Sequence, residues 1–254
     1  MFKQWRTPAG KTSSFFEKSL QAPHLLIAGT TGSGKSELIR KLIETALYRA
    51  PSAISGCAMF ILIDLKRVEL QEFKDLPHCL RYADTADKAV EALRIALKQT
   101  ESRFSAMQRK KQTLYDGADL YIIIDEFADL MTTRKKEVVP LIQRIAQIGR
   151  AAKVHIILAT QTPIAKILPT EIKCNFDYRF GLRTRSAQDS RNILGVNGCE
   201  NLPKYGEFYY YSPNGLDLYT FKKISNIEII RLCRHWLEQM TLFDKFNHWW
   251  NNKI

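Results

Sequence analysis

Between about residue 23 and residue 223 the chain alternates short uninterrupted apolar runs with longer stretches in which apolar residues recur every three or four positions. Leu25 to Ala28 predicts a short buried strand. Leu38, Ile39, Leu42, Ile43, Ala46 and Leu47 then recur at helical spacing. Ala58 to Asp64 predicts a second strand, followed by a long amphipathic helix over about 85–112 with Val90, Leu93, Leu97, Phe104 and Met107 on one side. Leu120 to Ile124 predicts a third strand, Val138 to Ile148 a helix, and Val154 to Ala159 a fourth strand. Continuous apolar strands separated by helices imply a mostly parallel sheet covered on both faces, an α/β fold. Phe176 to Leu182 and Glu207 to Phe221 predict edge strands joined by loops rich in Gly, Asn and Pro. Beyond Lys223, the residues Ile227, Ile230, Leu232, Trp236 and Leu237 predict a short helical tail that ends in an aromatic segment.

Composition narrows the class. The 254 residues are 45% hydrophobic and 25% charged, ordinary globular values that exclude a disordered chain or a coiled coil as the main body. No apolar run approaches the ~20 residues of a membrane-spanning helix, and the basic amino terminus lacks the apolar core of a signal peptide. A cytoplasmic protein is expected. Five cysteines, odd in number and never paired as CxxC, read as reduced thiols rather than disulfides or a zinc site. The unusual quantity is charge: 38 Lys+Arg against 26 Asp+Glu leave a formal net charge of +12. That excess points to a polyanionic partner, nucleic acid first and anionic membrane second.

The chemistry concentrates at strand ends. Gly29, Thr30, Thr31, Gly32, Ser33, Gly34, Lys35 and Ser36 match GxxxxGK[ST] between a strand and a helix, the context a phosphate-binding P-loop requires. Its glycines let backbone N–H groups turn inward around phosphates, and the helix N-terminus adds partial positive charge. Lys35 is expected to reach the β- and γ-phosphates of ATP, and Ser36 to ligate Mg²⁺. Asp125 and Glu126 follow the apolar run Leu120 to Ile124. Ligands bind at the carboxyl ends of such strands. Asp125 is therefore expected to hold Mg²⁺, mostly through water, and Glu126 to polarise the attacking water. Gln161, after the fourth strand, can hydrogen-bond the γ-phosphate or that water.

Longer segments carry a resemblance. PHLLIAGTTGSGKS (23–36), ILIDLKRVEL (61–70), IIIDEFADLM (122–131), QIGRAAKVHIILATQTP (147–163) and the triplet Asp189-Ser190-Arg191 stand in the order and spacing of the FtsK/SpoIIIE family. The resemblance implies a RecA-like motor domain over 21–223, preceded by a basic arm over 1–20 and followed by an aromatic, basic tail over 224–254. It implies a homo-oligomeric ring, usually a hexamer, that encircles double-stranded DNA and moves it by hydrolysing ATP at subunit interfaces. Arg150, in Gly149-Arg-Ala-Ala, matches the position of an arginine that completes the neighbour's site; a cation at a helix end is also favourable in its own right. By the same resemblance, loops 162–175 and 182–191 line the pore and supply Lys166, Lys173, Arg183, Arg185 and Arg191 for phosphate contacts.

Three departures stand out. Family members commonly carry Arg where this chain has Thr162, Lys where it has Ala187, and Pro where it has Leu65. The first two remove positive charge from the expected pore, and Arg185 is placed to replace the second. With about 20 residues before the motor and about 30 after it, the chain reads as a stand-alone motor. Such a motor suits a mobile element, plasmid or phage genome, with a relaxase, replication initiator or membrane anchor protein as partner. Two alternatives remain at this point. One is a conjugation or secretion coupling ATPase acting on protein or nucleoprotein. The other is a DNA-bound replication accessory that hydrolyses ATP without translocating.

Overall fold

A computed structural model describes residues 12–48 and 58–221, with three further helical positions at 231, 234 and 238. The apolar runs become strands: β1 (His24–Ala28), β2 (Met59–Ile63), β3 (Cys79–Ala83), β4 (Leu120–Ile124), β5 (Val154–Thr160) and β6 (Tyr178–Gly181). These six lie parallel, and the hairpin β7 (Glu207–Ser212) and β8 (Gly215–Thr220) extends them antiparallel. The sheet order is β3-β2-β4-β5-β1-β6-β7-β8. β1, β4 and β5 are buried at every residue, because helices cover both faces at the centre.

Alternation along each strand assigns side chains to the two layers. Ile27, Ile123, Ile157 and Phe180 face α1 (Thr12–Ser19) and α2 (Lys35–Tyr48), where Phe16, Leu38 and Leu42 meet them. Leu26, Ile61, Ile122 and Ile156 face α3 (Ala86–Lys110), α4 (Phe127–Thr133) and α5 (Lys135–Ile148), where Leu93, Phe127 and Ile142 complete the second core. Each such side chain, fully buried, stabilises the fold by ~1.5–3 kcal/mol. Two shorter helices, α6 (Thr170–Lys173) and α7 (Ala187–Leu194), pack beside β6.

Several expectations shift. The segment Phe176 to Leu182 is not an edge: β6 lies between β1 and β7, and the edges are β3 and β8. Its short, partly polar sequence looks peripheral, yet Phe180 is fully buried against the first core. β3 escapes an alternation search because only its two ends, Cys79 and Ala83, are buried. Part of the segment expected as a basic arm forms α1, and Phe16 and Leu20 enter the core. α5 begins a turn before Val138 and contains Pro140. The proline removes the helical donor to the Lys136 carbonyl, at an exposed residue. α3 begins where predicted, with the Thr85 hydroxyl accepting from the Lys88 N–H at 3.3 Å.

Apart from positions 231, 234 and 238, the predicted tail, including Trp236, Trp249 and Trp250, lies outside the described residues. Among the described residues Cys79, Cys174 and Cys199 are free thiols, and no helix is long and apolar enough to cross a membrane.

Candidate nucleotide site and its basic surroundings

The carboxyl ends of β1, β4 and β5 meet at one cleft. The loop from β1 into α2 turns through Gly34 at φ +97°, where an added Cβ would lie 2.5 Å from the Phe221 ring. Gly29 is equally constrained: a Cβ there would approach Leu182 to 2.7 Å. These positions let the chain coil tightly enough to present its N–H groups. The resulting cleft, of about 240 Å³, is lined by Thr31, Gly32, Lys35, Ser36, Arg40 and Gln161 among others.

Lys35 is 4% exposed and Asp125 1% exposed. The ammonium donates to the Asp125 carboxylate Oδ1 at 2.7 Å and to the Asp125 carbonyl at 2.7 Å. Two charges so buried require each other, and a phosphate chain entering the cleft must draw Lys35 away from this pair. Glu126 is also buried, at 5% exposed. Its side chain caps α4 through the Ala128 N–H at 3.3 Å and accepts from the Thr160 hydroxyl at 2.8 Å. The Gln161 N–H donates to both of its oxygens, at 3.2 and 3.1 Å. The Gln161 side-chain oxygen accepts from the Thr31 hydroxyl at 2.7 Å, so the end of β5 touches the P-loop and Glu126 together.

A divalent ion fits this donor set. Ser36 lines the cleft, and its chain neighbour Lys35 is bonded to buried Asp125, whose second oxygen takes no protein donor among the described residues. Hydroxyl plus carboxylate is the hard oxygen chemistry Mg²⁺ prefers.

A model of the FtsK/SpoIIIE family matches residues 7–119 and 109–165, more than half of the sequence. The chain belongs to the FtsK/SpoIIIE family. It is 37% identical over 210 residues to the DNA translocase FtsK of Borreliella burgdorferi, covering 76% of this chain and 26% of that protein. The chain thus spans about a quarter to a third of the length of the curated relatives it matches. Its fold is similar to the pCW3 conjugation coupling protein TcpA, in its monomer form with ATPγS, at TM-score 0.76 and 19% identity over 86% of this chain and 65% of that one. The cytoplasmic domain of the Thermomonospora curvata type VII secretion ATPase EccC gives TM-score 0.71 and 26% identity over 85% of this chain and 28% of that one. The fold is that of a P-loop ATPase.

The residues that FtsK/SpoIIIE resemblance assigns beyond the cleft separate into groups. Arg150 is exposed in the turn that precedes β5. Seven residues of strand, about 20 Å, divide it from the cleft of its own chain. Lys166, Arg183 and Arg185 are exposed at the carboxyl edge, and none has a protein partner for its charge among the described residues. The Arg183 carbonyl accepts from the Thr30 N–H at 2.8 Å and hydroxyl at 3.1 Å, which ties this loop to the P-loop. Lys173 and Arg191 are engaged within the fold. Lys173 donates to the Asn192 carbonyl at 3.3 Å, and Arg191 to Asn197 at 2.6 Å and Gln188 at 3.0 Å. Nor is 162–175 a loose loop: Ile167, Leu168 and Ile172 are buried, and Lys166 stands in an exposed stretch that begins at Ile164.

Sequence reading passed over four residues at the site. Arg40 lines the cleft and pairs with Glu69 at 3.5 Å and Glu72 at 2.8 Å, joining α2 to the loop after β2. Asp64 ends β2 as Asp125 ends β4, and accepts from the Glu69 and Leu70 N–H groups at 3.0 and 2.9 Å. Lys66 reaches Glu126 at 3.6 Å and Asp129 at 3.9 Å. Lys204 stands over the P-loop, its Cε 3.3 Å from where a Cβ on Gly32 would lie. The signal available for Asp64 and Lys66 was a second acidic strand end followed by charges of both signs over 64–72.

Proposed function

We propose that the chain is an ATP-driven motor that moves double-stranded DNA, working as a homo-oligomeric ring, hexameric as in its resemblance, in the cytoplasm. The observation that carries this reading is the continuity between the cleft and the exposed basic loops. Gln161 and Thr160 hold Glu126 and lead directly into the segment bearing Lys166, while the segment bearing Arg183 and Arg185 is bonded to Thr30. Phosphate chemistry and backbone contacts therefore share one set of backbone hinges.

Lys35 and the P-loop N–H groups bind the triphosphate, with Ser36 and Asp125 holding Mg²⁺. The ion, when bound, neutralises charge on the β- and γ-phosphate oxygens. Glu126 takes the proton of the attacking water, and Gln161 orients that water or the γ-phosphate. Arg150 lies too far to serve its own cleft and acts on that of a neighbouring copy, where it stabilises developing negative charge. Lys166, Arg183 and Arg185 grip DNA phosphates without reading sequence. The cargo is the DNA of a mobile element, plasmid or phage, delivered by a relaxase, replication initiator or membrane anchor protein.

The test is ATP hydrolysis with and without linear duplex DNA, beside displacement of a DNA triplex. Stimulation by duplex DNA that falls steeply between about 50 and 200 mM salt, with triplex displacement, supports the motor. Hydrolysis and ring formation without displacement point to an accessory ATPase. The 26% identity to a secretion ATPase favours a second reading, a motor for protein cargo, and hydrolysis indifferent to DNA and salt selects it.

A further inference from the structure

Glu126 must offer a lone pair to water, yet its carboxylate is surrounded by donors. Oε1 accepts from the Thr160 hydroxyl at 2.8 Å, from the Gln161 N–H at 3.2 Å and from the Ala128 N–H at 3.3 Å. Oε2 accepts from the Gln161 N–H at 3.1 Å and faces the Lys66 ammonium at 3.6 Å. A carboxylate offers about four lone-pair sites, and here three hydrogen-bond donors and one ammonium face them, the Gln161 N–H being shared between the two oxygens. A base so engaged is withheld from water.

We infer that Thr160 and Lys66 are positioning residues that park Glu126, and that movement of the 162–169 segment releases it. This rests on the motor reading above, whose cargo supplies the movement. The linkage is short. The Thr162 N–H donates to the Thr160 hydroxyl oxygen at 3.1 Å, and that hydroxyl donates to Glu126. One side chain therefore separates the first residue of the 162–169 segment from the catalytic acid. Gln161, next along, contacts Glu126 through its N–H and Thr31 of the P-loop through its side chain. A pull on Lys166 or its neighbours shifts the Thr160–Gln161 peptide and withdraws three of the contacts to the carboxylate at once. Lys66 holds the opposite side from the loop after β2, the same loop that Arg40 ties to α2 through Glu69 and Glu72. The parked state is thus braced by β5 and by the β2 loop. Release from β5 lets Glu126 turn toward the cleft, where it accepts a proton from the water that attacks the γ-phosphorus as ADP leaves.

The experiment compares DNA-free and DNA-stimulated ATP hydrolysis in the full chain and its variants, with thermal melting as a control for folding. Thr160→Val keeps the shape and removes the hydroxyl. It is expected to raise the DNA-free kcat about tenfold, the effect of one lost hydrogen bond to a charged group, and to lower the stimulation ratio by the same factor. KM for ATP stays within about twofold, because no contact to ATP is altered; loss of packing alone has no reason to raise kcat. Thr160→Ser retains the hydroxyl and the low DNA-free rate. Lys66→Met acts in the same direction by about threefold, as expected of a longer and half-exposed contact. Should Thr160→Val fail to melt cooperatively, Lys66→Met decides, since its side chain is 44% exposed.

Wild-type stimulation ratios in both Thr160→Val and Lys66→Met overturn the inference, as does loss of hydrolysis with and without DNA in a folded variant. If the wild-type chain is itself not stimulated by DNA, the motor reading fails instead. Parking is then judged on the DNA-free rate alone, which Thr160→Val must still raise.

Discussion

At the amino ends of β4 and β5, Arg103 donates to the carbonyls of Ala118, Ala152 and Lys153 at 2.9, 3.0 and 3.1 Å and lies over the Tyr115 ring. Nearby, His24 accepts from the Ile156 N–H through Nδ1 at 3.0 Å, so Nε2 carries the proton and donates to the Ala146 carbonyl at 3.0 Å. At the carboxyl ends of the same strands, Lys35 donates to Asp125, Thr160 to Glu126 and Thr31 to Gln161. Both ends bury polar groups and pair most of them, although Ser33 Oγ in the P-loop takes no hydrogen-bond partner among the described residues. The difference is what stands beside the partners. At the amino ends it is mostly packed protein, with His24 buried and Arg103 half-buried. At the carboxyl ends it is an open cleft, and every bond can be exchanged for one to a phosphate, a metal ion or water. One edge of the sheet is closed structure, the other a set of exchangeable contacts.

The sharpest way to break that contrast is Lys35→Ala. It is expected to reduce ATP hydrolysis by at least about 10³-fold, measured as phosphate release. It also leaves Asp125 buried without its counter-charge, so thermal melting should show about 3 kcal/mol of lost stability.

Arg150→Ala tests the one exception, an amino-edge residue assigned to chemistry. Hydrolysis by the assembled protein should fall about 10³-fold. Mixing Arg150→Ala with Lys35→Ala should restore a measurable fraction, since a mixed interface then holds one intact Lys35 and one intact Arg150. No recovery on mixing would place Arg150 with the structural residues of its edge.

Acid probes the closed side. Burial lowers the pKa of His24 from 6.5 to about 4, and that of His78 likewise from 6.5 to about 4. The unfolded chain therefore takes up these protons below about pH 6.5 while the folded chain resists until about 4. Stability is full above pH 6.5 and falls as pH drops toward 4, by on the order of 3 kcal/mol per histidine. Denaturant titrations at pH 7 and pH 5 measure it, and His24→Gln should flatten part of the slope.

The smallest expected effect is Arg103→Ala, about 2 kcal/mol of stability from the loss of a charged donor to three carbonyls. kcat per folded molecule should stay within about twofold. A larger kinetic change would mean that the two edges communicate through the sheet.

Much of this was legible in one dimension. The four central strands and the helices after β1 and before β4 lie within a few residues of where apolar spacing puts them, because fully buried strands must be apolar throughout and covering helices apolar on one side. The P-loop was legible because its glycines, Lys35 and Ser36 are adjacent in the chain. β3 and α1 were not, since their burial depends on neighbours far away in sequence, and β6 was legible as a strand but not as an interior one: it is interior only because the β7–β8 hairpin adds to it. Thr160 carries no signal of its own, and the charges around Lys66 do not say what it meets. Both residues matter because β2, β4 and β5 end side by side.

What the sequence by itself determined, then, was the inventory: a parallel α/β core, a phosphate loop, two acids at a strand end and an excess of 12 positive charges. Local rules suffice for these, since periodicity and loop chemistry act over a few residues. Only the tertiary structure decided which charges are committed and which are available. It engaged Lys173 and Arg191 within the fold, left Lys166, Arg183 and Arg185 without partners for their charges among the described residues, set Arg150 a strand's length from its own cleft, and surrounded Glu126 with donors. Coulombic and hydrogen-bond partners are chosen by distance in space, and in a parallel sheet the residues nearest in space come from strands far apart along the chain.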